Sequence, residues 1–67
     1  MDIKPKVGET AGAVWQILSE RGPQTLAQLK KAIKEPSEVV LFAVGWLARE
    51  DNIDLAADKR GFKVSLR

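Results

Sequence analysis

Residues Ser37–Asp51 read SEVVLFAVGWLARED. The stretch predicts a single helix of about four turns, apolar around most of its circumference. Ser37 is placed as its N-cap and Glu38 in its first turn, where negative charge is favoured. Its end is expected near Asp51-Asn52, because Asn tolerates the left-handed conformation that closes many helices.

The chain before this helix reads as support. Ala11, Val14, Ile17 and Leu18 fall at helical spacing and predict a first helix from about Gly8 to Arg21. Glu9 near its start and Arg21 near its end suit the macrodipole. Gly22 supplies a left-handed ending and Pro23 forbids continuation. Trp15 lies beside the apolar stripe, either as a filler at the core's edge or as an exposed anchor for a partner. Met1–Lys6, with Pro5 inside it, reads as a loosely held tail. A second helix opens at Thr25, whose capping box with Gln28 lets each side chain satisfy the other residue's backbone N–H. Leu26, Leu29 and Ile33 form its buried stripe. Pro36 disfavours helical geometry at Glu35, so this helix is expected to end near Lys34.

Beyond Asn52 the apolar period changes from helical to two. Ile53, Leu55 and Ala57 alternate with Asp54 and Ala56, then Phe62, Val64 and Leu66 with Lys63, Ser65 and Arg67. Between the runs, Asp58-Lys59-Arg60-Gly61 is turn chemistry, with Asp to open a type I turn and Gly where a positive φ is needed. The tail is therefore a β-hairpin with one apolar face.

The chain is 67 residues long, which allows one domain with a small core. It has no cysteine and no histidine, which removes disulfides, thiolate metal sites and the usual general base. Good packing or a partner subunit must then stabilise it. Eleven basic and nine acidic side chains leave a net charge of +2, too mild to announce a nucleic-acid binder without regard to placement. No Gly-rich phosphate loop is present, and Glu50 and Asp51, adjacent on a helix end, point in different directions. An enzyme is not expected, nor a cofactor, a metal or a small-molecule substrate. No stretch is long and apolar enough to span a membrane and no signal-peptide pattern opens the chain. A cytoplasmic protein is the expectation.

The order helix, helix, short turn, helix, two-stranded hairpin resembles a winged helix-turn-helix domain. The residues that carry the resemblance are TLAQLKKAI (Thr25–Ile33), SEVVLFAVGWLARED (Ser37–Asp51) and NIDLAADKRGFKVSLR (Asn52–Arg67). The stretch GWLAREDNI in particular is similar to a small family of uncharacterised prokaryotic winged helix-turn-helix proteins. The resemblance implies an α+β fold that is mainly α, with three helices followed by a two-stranded wing: residues 1–7 as tail and 8–67 as the domain. In DNA-binding members the second helix of the motif enters the major groove and the hairpin tip reaches the backbone or the minor groove. The third helix would then be the recognition helix, with Lys59 and Arg60 at the wing tip.

The same pattern implies that Val40, Val44 and Leu47 face the core, with Ile53 after them. That leaves Glu38, Val39, Leu41, Phe42, Gly45, Trp46 and Arg49 looking outward. A base-reading face offers Arg, Lys, Asn, Gln, Ser or Thr; this one offers chiefly aliphatic and aromatic side chains. Val39, Phe42 and Trp46 instead form a second apolar stripe, the mark of an interaction surface with aromatic anchors. Val39, Phe42, Gly45 and Trp46 are the candidate dimer or partner interface, and cover by the wing or by Met1–Val7 is the alternative. A symmetric homodimer is the most economical occupant. Gly45 would let two backbones approach closely, or is a tolerated helix glycine costing about 1 kcal/mol.

Candidate DNA contacts are Lys30, Lys31 and Lys34 on the second helix and its turn, Arg49, and Lys59 and Arg60 at the wing tip. Lys63 and Arg67 add charge to the wing. Such residues hold phosphates without reading sequence. The expectation is a homodimeric module associated with double-stranded DNA and transcription, with weak sequence discrimination. The alternative is a protein-interaction module that docks through the apolar face of the third helix and touches no DNA.

Overall fold

A computed structural model describes all 67 residues. The elements are α1 (Lys4–Arg21), β1 (Gln24–Thr25), α2 (Leu26–Ala32), α3 (Ser37–Arg49), β2 (Ile53–Asp58) and β3 (Gly61–Leu66). The three strands form one antiparallel sheet in the order β1-β3-β2. This is the expected α+β winged helix, with one strand more than the hairpin predicted.

The helix boundaries differ from expectation for local reasons. α1 begins at Lys4, inside the stretch read as tail. Pro5 sits in its first turn, where its missing N–H costs nothing and its fixed φ suits the helix. The Asp2 carboxylate accepts from the Lys4 N–H at 3.0 Å and satisfies one of the free amides there. Thr10, buried in this helix, donates its hydroxyl to the Lys6 carbonyl at 2.7 Å. Gly22 closes α1 at φ 77°, its N–H on the Leu18 carbonyl.

The capping box of α2 is present in both halves: the Thr25 hydroxyl accepts from the Gln28 N–H at 3.1 Å, and the Gln28 side chain accepts from the Thr25 N–H at 2.8 Å. α2 stops at Ala32, two residues early, because Ile33 turns extended (ψ 123°) and so reaches the core. Ser37 is not the N-cap of α3. Pro36 takes that place, its carbonyl accepting from Val39 and Val40, and Ser37 is already helical. At the other end Asp51, not Asn52, adopts the left-handed conformation (φ 60°). Asn52 N–H bonds the Leu47 carbonyl and Asp51 N–H the Ala48 carbonyl, the paired bonds of a Schellman ending.

One apolar cluster holds these elements together: Ala11, Val14 and Leu18 of α1, Leu29 of α2, Val40, Ala43, Val44 and Leu47 of α3, and Ile33, Ile53 and Val64. The expected core stripe of α3 is there, with Ala43 added. Ile17 and Leu26 are partly buried against the cluster. Trp15 is half exposed and stands outside it. In the hairpin, Ile53 pairs with Leu66, Leu55 with Val64 and Ala57 with Phe62, so the apolar face has the expected register. Only its base is buried: Ile53 and Val64 lie in the core, while Leu55 and Phe62 are exposed.

Candidate nucleic-acid and assembly surfaces

The wing tip is built by its turn. Asp58 pairs with Gly61, which leaves Lys59 and Arg60 as a two-residue connection. The Asp58 carboxylate accepts from the Arg60 N–H at 2.8 Å, and Gly61 carries a φ of 130° that a side chain would oppose. Lys59 and Arg60 are both exposed, and neither has an ion-pair partner within the chain. Two exposed cations therefore stand on a hydrogen-bonded turn, beside the Asp58 carboxylate but without an ion pair to it. Arg67 is differently placed. It pairs with Asp51 at 3.1 Å and Asp54 at 3.8 Å at the base of the wing. Lys63, on β3 opposite Ala56 and Thr25, is exposed.

The remaining candidate cations are dispersed. Lys30 and Lys31 are exposed in the last turn of α2. Lys34 follows that helix and lines a cleft of about 360 Å³ against α1, in company with Glu9, Glu20 and Glu35. Lys34 therefore stands among carboxylates. Arg49 is exposed in the last turn of α3.

Nearby, Lys6 lies 3.5 Å from both Glu9 and Glu35, straddling α1 and the α2–α3 turn. The Glu35 carboxylate, and to a lesser degree Glu9, raises the Lys6 pKa above its usual 10.5.

The outward face of α3 carries Glu38, Leu41, Phe42, Gly45, Trp46 and Arg49, all exposed. Phe42 and Trp46 are 53% and 55% exposed and, with Leu41, make a contiguous apolar patch on one helix face. Val39 does not belong with them. It is 9% exposed, closed off within the chain, and so is removed from the candidate interface.

Two hollows flank this face. On one side, Leu41, Val44 and Gly45 of α3 meet Leu26 and the wing residues Leu55, Phe62 and Val64 around a groove of about 260 Å³. On the other, Trp46 stands beside Lys4, Val7 and Gly8 at the start of α1. The groove was missed in the sequence because alternation in the hairpin assigns Leu55 and Phe62 to the core-facing side. It does not say how far the core extends beneath them.

The family model described as "Winged helix-turn-helix domain (DUF2582)" matches residues 1–66. Uncharacterized protein MJ1608 of Methanocaldococcus jannaschii is 38% identical over 69 residues, an alignment spanning 98% of this chain and 97% of that one. Architecture and sequence thus agree, and the chain belongs to the DUF2582 family of winged helix-turn-helix domains.

Proposed function

We propose that the protein is a DNA-associated regulatory module, a homodimer that holds the backbone of a duplex through its wing tips with weak sequence discrimination. The observation that carries this reading is the pair Lys59 and Arg60, exposed and without an ion pair on a hydrogen-bonded two-residue turn. A winged helix offers such a tip to phosphate or to the minor groove. The outward face of α3, with Leu41, Phe42, Gly45 and Trp46 at its centre, lacks the polar array that reads base edges, which favours assembly as its role. Lys30, Lys31 and Arg49 would add phosphate contacts of lower weight.

Reversing both tip charges (Lys59→Glu with Arg60→Glu) tests the reading by retention on a random duplex at low salt. Loss of retention is expected; retention equal to that of the unaltered protein contradicts it. A second reading, a protein-docking module without DNA binding, is favoured by the apolar α3 face and its adjoining groove. Apolar docking would change little with salt, whereas phosphate binding falls steeply through counterion release.

A further inference from the structure

The outward face of α3 has a property that its apolar content alone does not require. It is complementary to itself when turned end for end. Glu38 and Arg49 lie about three turns apart and within about 20° of the same line along the helix. Both are exposed and neither has an ion-pair partner in the chain; Glu38 accepts only a 3.4 Å hydrogen bond from the neighbouring Ser37 hydroxyl. Between them stand Leu41, Phe42, Gly45 and Trp46.

We infer that two copies pair antiparallel through this face, with Glu38 against the partner's Arg49, Phe42 against the partner's Gly45 and Trp46 level with the partner's Leu41. The inference rests on the reading of α3 as an assembly surface and specifies its register. Antiparallel pairing makes two opposite-charge contacts. Parallel pairing on an axis along the helix would set Glu38 against Glu38 and Arg49 against Arg49.

Gly45 supports the same register. It sits inside α3 without a positive φ, and a Cβ built there meets nothing within 4 Å. Nothing within one copy therefore requires a glycine, although glycine weakens a helix interior. In the antiparallel register, the missing side chain makes room for the partner's Phe42 ring.

The flanks settle what such a dimer presents. Leu41 and Gly45 adjoin the wing, and Trp46 adjoins the start of α1. A two-fold axis perpendicular to two antiparallel helices keeps each flank on its own side. Both wings therefore lie on one side of the dimer and both α1 starts on the other, so both Lys59-Arg60 tips face one way. A single duplex could then engage two tips at once, with the gain in apparent affinity that bivalence brings.

Sedimentation equilibrium of the full chain tests the pairing with four proteins: unaltered, Glu38→Arg, Arg49→Glu, and both together. Each single variant places like charges at both symmetric contacts and is expected to weaken dimerisation roughly tenfold. The double variant restores opposite charges and should return to within about threefold of the unaltered protein, on the same estimate. Damage to the helix itself would add in the double variant, because both changes oppose the macrodipole; a pairing effect cancels. An unaltered protein that stays monomeric, singles that dimerise as well as it does, or a double as weak as the singles would each overturn the inference. The DNA reading fails separately. A dimer that follows the swap pattern but ignores duplex DNA keeps the pairing and loses that reading, and a duplex-binding monomer does the reverse.

Discussion

Gly45 occupies the third turn of α3, exposed, with open space where a side chain would stand. Replacing it by Ala should strengthen the helix by about 1 kcal/mol. In a domain of this size that corresponds to a rise in Tm of roughly 4–8 °C, measured at a dilution where the chain is monomeric. A lowered Tm would show that the backbone there is constrained in a way this structure does not contain. Leu29 is the opposite case. It is fully buried at the junction of α2 with the core, so Leu29→Ala should cost about 2–5 kcal/mol. A chain of this length has roughly 3–10 kcal/mol of stability in all, so the urea midpoint should fall by at least about a fifth, and by about half at the middle of both ranges. A midpoint within experimental scatter of the original would contradict the packing. At this scale the sequence was legible wherever period and burial coincide, as at Val40, Val44 and Leu47. It misled at Val39, which shares the azimuth of Phe42 and Trp46 but stands in the first turn, where the chain itself covers it.

Among elements, the informative errors lie at the ends. The Thr25–Gln28 capping box could be read directly because both partners are local in sequence. The start of α1 was misplaced because Pro5 serves equally in a tail and in a first helical turn. What favours the helix there is the Asp2 contact and the Lys6–Glu35 ion pair. β1 has two residues, too few to show a period, and exists because β3 offers it an edge through Gln24–Val64 and Thr25–Lys63. Lys6 ties the added first turns of α1 to the α2–α3 turn, and its raised pKa sets the pH range of that tie. The folded state holds this proton more tightly than the unfolded chain does. The stabilisation is therefore fully present below the usual 10.5 and is lost as pH rises through the higher folded value. Lys6→Gln should melt slightly below the unaltered protein from neutral pH to about 10, with the gap closing above that. The gap is small because Lys6 is solvent-exposed. A gap that widens in strong alkali would contradict the assignment.

The whole molecule divides its surface by chemistry. A charged tip projects from the wing, an apolar face runs along α3, and an acidic cleft lies between α1 and the α2–α3 turn. The fold class was legible because the order of elements and their periods are local properties of the chain. The groove between α3 and the wing was not, since it depends on where the core stops beneath Leu55 and Phe62. The acidic surroundings of Lys34, shared with Glu9 and Glu20 of α1, are likewise a tertiary fact. On the proposed division of labour, the wing tips hold phosphate while α3 serves assembly. Its most direct test is the affinity of the unaltered protein for a random duplex as a function of salt. Four tip cations in a dimer predict that log K falls against log salt with a slope of roughly −3 to −4. Binding that does not change with salt, or no binding at low salt, would contradict the claim and leave the apolar face as the functional surface.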